Sequence, residues 1–366
     1  MKTQNLLYLL ALQKAEGIGD INAKKLIKHC GSAEAVFKEK SDNLLKIEGV
    51  GTHKLKDLKN KKLLLAKAEI ELTFIQKNNI QVFSFTDSDY PERLKHAIDS
   101  PLVLFQKGKI EFKQQRVISI VGTRNMTNYG RTFLKKFIKD IAQYNPLIVS
   151  GLAYGVDVLA HQLAMENNLQ TVGVLAHGLD RIYPSRHQNE ANKMQENGGL
   201  LTDFWSGTNP DRNNFVKRNR IVAGLSQATI VIESAEKGGS LITADLANSY
   251  NRDVFALPGR TTDLYSKGCN NLIKINKAAL LQSAKDLAYL LNWEEVKVKP
   301  IQKQLFVELD DNETTIYNYL LKEGKQTLDI IALHNNLPIF KVSSLLLNME
   351  LKGVIRPLHG KMFEVI

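Results

Sequence analysis

Cysteine is nearly missing from this chain, with two in 366 residues. Cys30 stands beside an expected turn and Cys269 in a Gly-Cys-Asn loop, and neither has a His or second Cys at metal-ligand spacing. A disulfide framework and a metal centre are therefore excluded as organising features, and reduced thiols are expected. Long apolar runs are missing too, since none approaches the roughly 18 residues needed to cross a bilayer. The start Met1-Lys2-Thr3-Gln4-Asn5 leads into an amphipathic segment with no signal-cleavage pattern, so a cytoplasmic protein without a membrane partner is expected. Acidic residues are the scarcer charge, Asp plus Glu 38 against Lys plus Arg 49, for a net charge of +11. The surplus is uneven: residues 101–300 hold 25 basic and 17 acidic side chains, residues 301–366 hold 7 and 8. A basic middle points to a polyanionic partner, although charge alone does not decide it.

What is present is a folded chain, 43% apolar and 24% charged, long enough for two or three domains. Residues 1–80 read as a small helical domain around two similar turns, Glu16-Gly17-Ile18-Gly19 and Glu48-Gly49-Val50-Gly51. Their spacing is that of helix-hairpin-helix (SAM-like) turns, which often hold a duplex backbone. The same pattern also makes an ordinary tight link, and DNA contact, a structural role and protein docking all stay open. After an extended segment over 81–105, short apolar runs at 116–121, 147–150, 171–175, 200–203, 228–232 and 253–256 alternate with helical patterns. That alternation predicts an α/β, extended Rossmann-like domain over 81–295 with a mainly parallel sheet. A linker at 296–304 contains Lys297-Val298-Lys299-Pro300. Residues 305–366 read as three helices and a hairpin around His359-Gly360, a winged-helix arrangement.

Several segments carry binding chemistry. Val121-Gly122-Thr123-Arg124 and Val149-Ser150-Gly151-Leu152-Ala153-Tyr154-Gly155-Val156-Asp157 each lie between an apolar run and an amphipathic stretch, so their amides and Arg124 are expected at one sheet edge. Arg124 reads as a bidentate phosphate contact or as a salt bridge stapling its loop. In Phe215-Val216-Lys217-Arg218-Asn219-Arg220, three cations can follow a backbone while Phe215 stacks on a base and Asn219 bonds base or main chain. Arg212 is a further candidate there, and Arg220 with Asn219 also suits holding loops together. Lys237-Gly238-Gly239-Ser240 reads as a phosphate cradle opening a helix, or as a tight strand-to-helix turn. Asp157 is expected to organise its loop or cap the helix N-terminus and His161 to pack nearby, and Tyr183-Pro184 reads chiefly as a turn. No catalytic set, metal or cofactor is expected.

Together with Tyr129-Gly130, Ala160-His161, Gly178-Leu179-Asp180, Ala223-Gly224-Leu225-Ser226, Thr243-Ala244 and Leu257-Pro258-Gly259, these motifs occur in an order that resembles the bacterial DNA-processing DprA/Smf family over nearly the whole chain. The resemblance implies single-stranded DNA binding, self-association as a homodimer, and loading of RecA recombinase during natural transformation, without enzymatic activity. It makes Ser150 and Gly151 a second phosphate-facing loop. The family usually has Arg where this chain has Tyr154, which removes a cation and leaves a phenol that can stack or hydrogen-bond.

Two other readings stand beside it. A nucleoside-monophosphate-processing enzyme of similar sheet type would need an acid or base, for which Glu233 and Asp245 are candidates. An adaptor acting through protein contacts is suggested by the sparsely charged helix around Phe340–Glu350.

Overall fold

The computed structural model describes residues 3–113, 116–293, 309–358 and 360–366. The chain divides into two compact units, Met1–Val296 and Lys297–Ile366. The linker expected at 296–304, like His359, lies outside the described residues.

The first unit is built on a nine-stranded sheet: β1 (Gln81–Ser84), β2 (Val103–Gly108), β3 (Val117–Val121), β4 (Leu147–Ser150), β5 (Thr171–Val174), β6 (Gly198–Thr202), β7 (Ala228–Val231), β8 (Asp253–Ala256) and β9 (Ala279–Leu280). Their spatial order is β1-β2-β6-β5-β4-β3-β7-β8-β9. From β6 to β9 neighbours are parallel, while β2 joins β6 and β1 joins β2 antiparallel. The sheet is thus mixed and mostly parallel. Its interior strands are buried throughout, as expected where helices cover both faces. In β3, Ile118 and Ile120 pack under helices 128–141 and 156–166, while Val117 and Val121 face helices 212–225 and 239–249. This is the period-two alternation of a strand with a core on each side.

Residues 3–77 are helical and share a core with the sheet: Leu9, Leu26 and Leu64 cluster with Leu102, Val103 and Phe105 of the β2 region and with Trp205. Polar contacts reinforce the seam. The Trp205 indole donates to Gln13 Oε1 at 2.8 Å, the Ser206 amide to Glu71 Oε1 at 3.0 Å, and the Leu102 amide to Asp20 Oδ1 at 2.7 Å. Within the helical segment two lysines engage the second glycine turn. Lys25 Nζ donates to Glu48 O at 3.2 Å and Lys54 Nζ to Gly49 O at 2.6 Å.

The second unit has helices 311–323, 328–334 and 339–351, and a three-stranded antiparallel sheet of β10 (Gln326–Thr327), β11 (Ile355–Leu358) and β12 (Met362–Val365), with β12 central. Ile316, Leu320, Ile331, Val342, Leu346 and Met349 form its core. Among the described residues no single helix is long and apolar enough to cross a membrane.

Candidate nucleic-acid interface

From β3 the chain winds through β4, β5 and β6 toward one edge and then returns to lay β7 against the other side of β3. The connections leaving the carboxyl ends of β3 and β7 therefore run in opposite directions, the place where open α/β sheets bind ligands. A cavity of about 390 Å³ opens there, lined by Arg124 after β3, Gly151 and Ala153 after β4, Phe215, Arg218 and Asn219 from helix 212–225, and Lys237 to Ser240 after β7.

Backbone contacts fix the loop that carries Arg124. The Thr123 amide donates to Glu233 O at 2.7 Å and the Val156 amide to Thr123 O at 3.2 Å. Gly155 allows this closure: its φ is +80°, and a Cβ there would strike the carbonyls of Thr123 and Arg124. Arg124 stays exposed, with its guanidinium 5.7 Å from the centre of the Phe215 ring. Stacking on the ring orients the guanidinium without consuming its donors.

Helix 239–249 begins at the cavity with no side-chain cap on its first-turn amides. Four N–H groups of a helix start lack intrahelical partners, and the helix dipole favours an anion beside them. Gly239 is exposed and Lys237 stands next to it, while Ser240 is buried and donates to Ser234 Oγ at 3.0 Å. Asn219 Nδ2 donates to Gly239 O at 3.3 Å, tying this helix start to helix 212–225.

The floor holds two buried side chains of opposite charge, Arg218 and Asp157. Arg218 is 5% exposed and donates through Nη1 to Val174 O, while its Nε has no hydrogen-bond partner. Its guanidinium and the Asp157 carboxylate occupy the space a Cβ on Gly151 would need, so only glycine fits there. Burial raises the Asp157 pKa, with Arg218 opposing, and burial lowers that of Arg218, with Asp157 opposing. The Ala153 amide donates to Asp157 Oδ2 at 3.4 Å. His161 is fully buried, its Nε2 2.5 Å from Gly151 O, and burial lowers its pKa to about 4. Of the two readings of Asp157, the loop-organising one fits, since helix 156–166 has no side-chain cap, and His161 packs beneath the same loop. Asp157 is the one carboxylate among the described lining residues, and its charge is disfavoured by burial, so the mouth presents cations and amides.

The structure places several expected contact residues elsewhere. Ser150 is fully buried and its hydroxyl donates to Ile120 O at 2.6 Å, which corrects its reading as a surface donor. Arg218 is likewise corrected from an exposed cation to the cavity floor. Lys217 is exposed but faces the opposite flank of helix 212–225, where it lines a second cavity of about 460 Å³ with Gly19, Asp20, Asp99, Asp203 and Arg220. In that cavity Arg220 pairs with Asp20 at 3.1 Å and with Asp203, and donates to Asp99 O, which is the loop-holding role. Arg212 is exposed in the first turn of the helix and outside both cavities. Sequence reasoning missed Ser234 and Tyr265 as lining residues. Ser234 follows β7 and could have been found from the switch-point rule; Tyr265 arrives from the short helical turn Leu264–Ser266 after β8 with no local signal.

The two candidate acids are engaged elsewhere. Buried Glu233 accepts from the Thr127 amide at 2.8 Å and from the Thr127 hydroxyl, at the start of helix 128–141. Asp245 is on the surface, paired with Lys277 at 2.8 Å.

Comparison with known proteins agrees with this architecture. A family model described as DNA recombination-mediator protein A matches residues 81–292. Protein Smf of Synechocystis is 31% identical over 98% of both chains. The DNA processing protein DprA of Bacillus subtilis is 37% identical, covering 63% of this chain and 76% of its own. The solved structure of DNA processing protein A from Streptococcus pneumoniae superposes with a TM-score of 0.65 at 28% identity, over 79% of this chain and 98% of that one. The Helicobacter pylori DNA processing protein A, in a structure titled for its single-stranded DNA binding mode, gives 0.53 at 27% identity over 58% and 95%. With a full-length relative, a matching family model and a shared mixed sheet, this chain belongs to the DprA/Smf family of DNA-processing proteins.

Proposed function

We propose that the protein binds single-stranded DNA across the carboxyl edge of its sheet and hands it to RecA recombinase. The observation that carries this is the mouth of the first cavity: Arg124 stacked on Phe215 beside an uncapped helix start, with the one carboxylate among the described lining residues buried. A phosphate fits between the guanidinium and the free amides of Gly239 and Ser240, Lys237 adds charge, and Phe215 offers a face to a base. Ser150, Gly151 and Arg218 support this site from beneath by fixing the loop, and Asn219 holds its two helices in register. Binding of this kind is indifferent to sequence and weakens with salt.

The finer architecture belongs to the same proposal. Residues 1–80 form a helix-hairpin-helix domain with a mainly structural role, favoured by Lys25 and Lys54, whose ammonium groups are engaged by the carbonyls of Glu48 and Gly49 in the second turn. Residues 81–295 form the Rossmann-like DNA-binding domain, and 305–366 a winged helix. Phe340, Leu347 and Leu351 of the winged helix are 78%, 56% and 79% exposed, which suits a protein partner, RecA or a second copy in a homodimer, better than duplex DNA. A cytoplasmic role in natural transformation completes the reading. The test is a titration of labelled single-stranded and duplex DNA against wild type and Arg124→Ala at several salt concentrations. Preferential, salt-sensitive binding of the single strand that Arg124→Ala weakens supports the proposal; equal binding by both proteins overturns it.

A further inference from the structure

Exposed aromatic rings gather on one side of the DNA cavity. Tyr183 is 45% exposed and its ring lies 6.0 Å from that of Phe215, tilted by 53°. Phe215 in turn carries the Arg124 guanidinium. Tyr154 is 44% exposed and meets the ring of His187 edge-on at 4.9 Å. His187 Nδ1 donates to Leu152 O at 2.9 Å, so the short helical turn Ser185–His187 is fastened to the loop carrying Gly151 and Ala153. Tyr183 enters that turn and Tyr154 packs on its end. Among the described residues neither phenol hydroxyl has a hydrogen-bond partner, and Arg186, exposed in the same turn, has no ion-pair partner.

Two exposed phenols beside a free cation, leading away from a phosphate-binding mouth, have the makeup of a single-strand stacking platform. The Tyr183–Phe215 spacing is that of rings in direct contact, so no base enters between them and one stacks on the outer face of Tyr183. We propose that a single strand held at the cavity continues over Tyr183 to Tyr154, making the Ser185–His187 turn a second subsite that takes nucleobases. This rests on the single-stranded DNA reading above. Because Tyr154 is a phenol and carries no charge, its own contribution is to bases and adds no phosphate contact.

The test compares oligothymidylates of graded length, with and without abasic positions, against wild type, Tyr183→Ala, Tyr183→Phe, Tyr154→Ala, Tyr154→Arg and Arg124→Ala. Each alanine variant of the two tyrosines is expected to weaken long oligomers roughly 5- to 100-fold, the range for one lost base stack, with the salt slope unchanged. The shortest oligomers and the abasic ones are expected to bind wild type and these variants alike, and Tyr183→Phe to behave as wild type. Tyr154→Arg should steepen the salt slope by about 0.7. If both tyrosine-to-alanine variants match wild type at every length while Arg124→Ala binds weakly, the second subsite is overturned and the cavity reading stands. If Arg124→Ala also binds normally, the cavity reading itself fails. Photocrosslinking of 5-iodouracil oligomers to the wild-type protein decides the matter even where a variant does not fold: adducts on Tyr183 or Tyr154 support the subsite, and adducts confined to Phe215 overturn it.

Discussion

The two cavities flanking helix 212–225 are alike in size and both touch basic side chains of the same segment, yet their chemistry is opposite. On one flank Arg124 and Lys237 are exposed and the helix start beside them lacks a cap. On the other, Arg220 is consumed by Asp20, Asp203 and a backbone carbonyl, and three carboxylates surround it. Counting cations does not locate an anion site; asking which cations already have partners does.

The sharpest way to break this contrast is Arg220→Ala. It leaves Asp203 buried without its partner, so a stability loss of about 3–5 kcal/mol is expected in denaturant unfolding, with single-strand affinity of the remaining folded protein unchanged. A selective loss of DNA affinity at full stability would mean the second cavity binds the ligand.

Next in size is a pH effect from beneath the first cavity. Burial holds the His161 pKa near 4, below its ordinary value of 6.5. The unfolded chain therefore binds the proton first, and stability is full above about pH 6.5 and falls as pH drops toward 4, by up to about 3 kcal/mol. Unfolding followed between pH 7 and 4, with His161→Gln as reference, should show the larger loss in wild type, because buried His177 contributes to both proteins; parallel curves would refute it.

Arg124→Ala is expected to weaken single-stranded DNA about 10- to 100-fold, as for a lost hydrogen bond to a charged group. Fluorescence anisotropy should also show the salt slope falling by about 0.7. Lys217→Ala is the smallest, within about twofold, because its side chain faces away from the mouth; a tenfold loss in the same assay would place DNA on both flanks.

The parallel strands were legible because burial on both faces makes them near-continuous apolar runs, as at Val117–Val121 and Ala228–Val231. Strands β1 and β2 were read only as an extended segment. The antiparallel pairing of β2 with β6 is set by partners far along the chain, Leu200 opposite Lys107 for instance, and leaves no local period. The site was legible in its loops and less so in its side chains. A helix turns about 100° per residue, so four adjacent positions, Lys217 to Arg220, spread over two cavities, and linear spacing alone did not tell the exposed cation from the buried one. Likewise Ser150 ends its strand pointing inward, a matter of pleat parity at a loop junction.

Strand β9 closes the far side of the sheet with two residues, Ala279 and Leu280. So brief a border offers an incoming chain almost no ladder of free amides and carbonyls to copy. That border is therefore poorly suited to seed edge-to-edge fibrils, and any pairing there must rely on side chains, which single substitutions can tune.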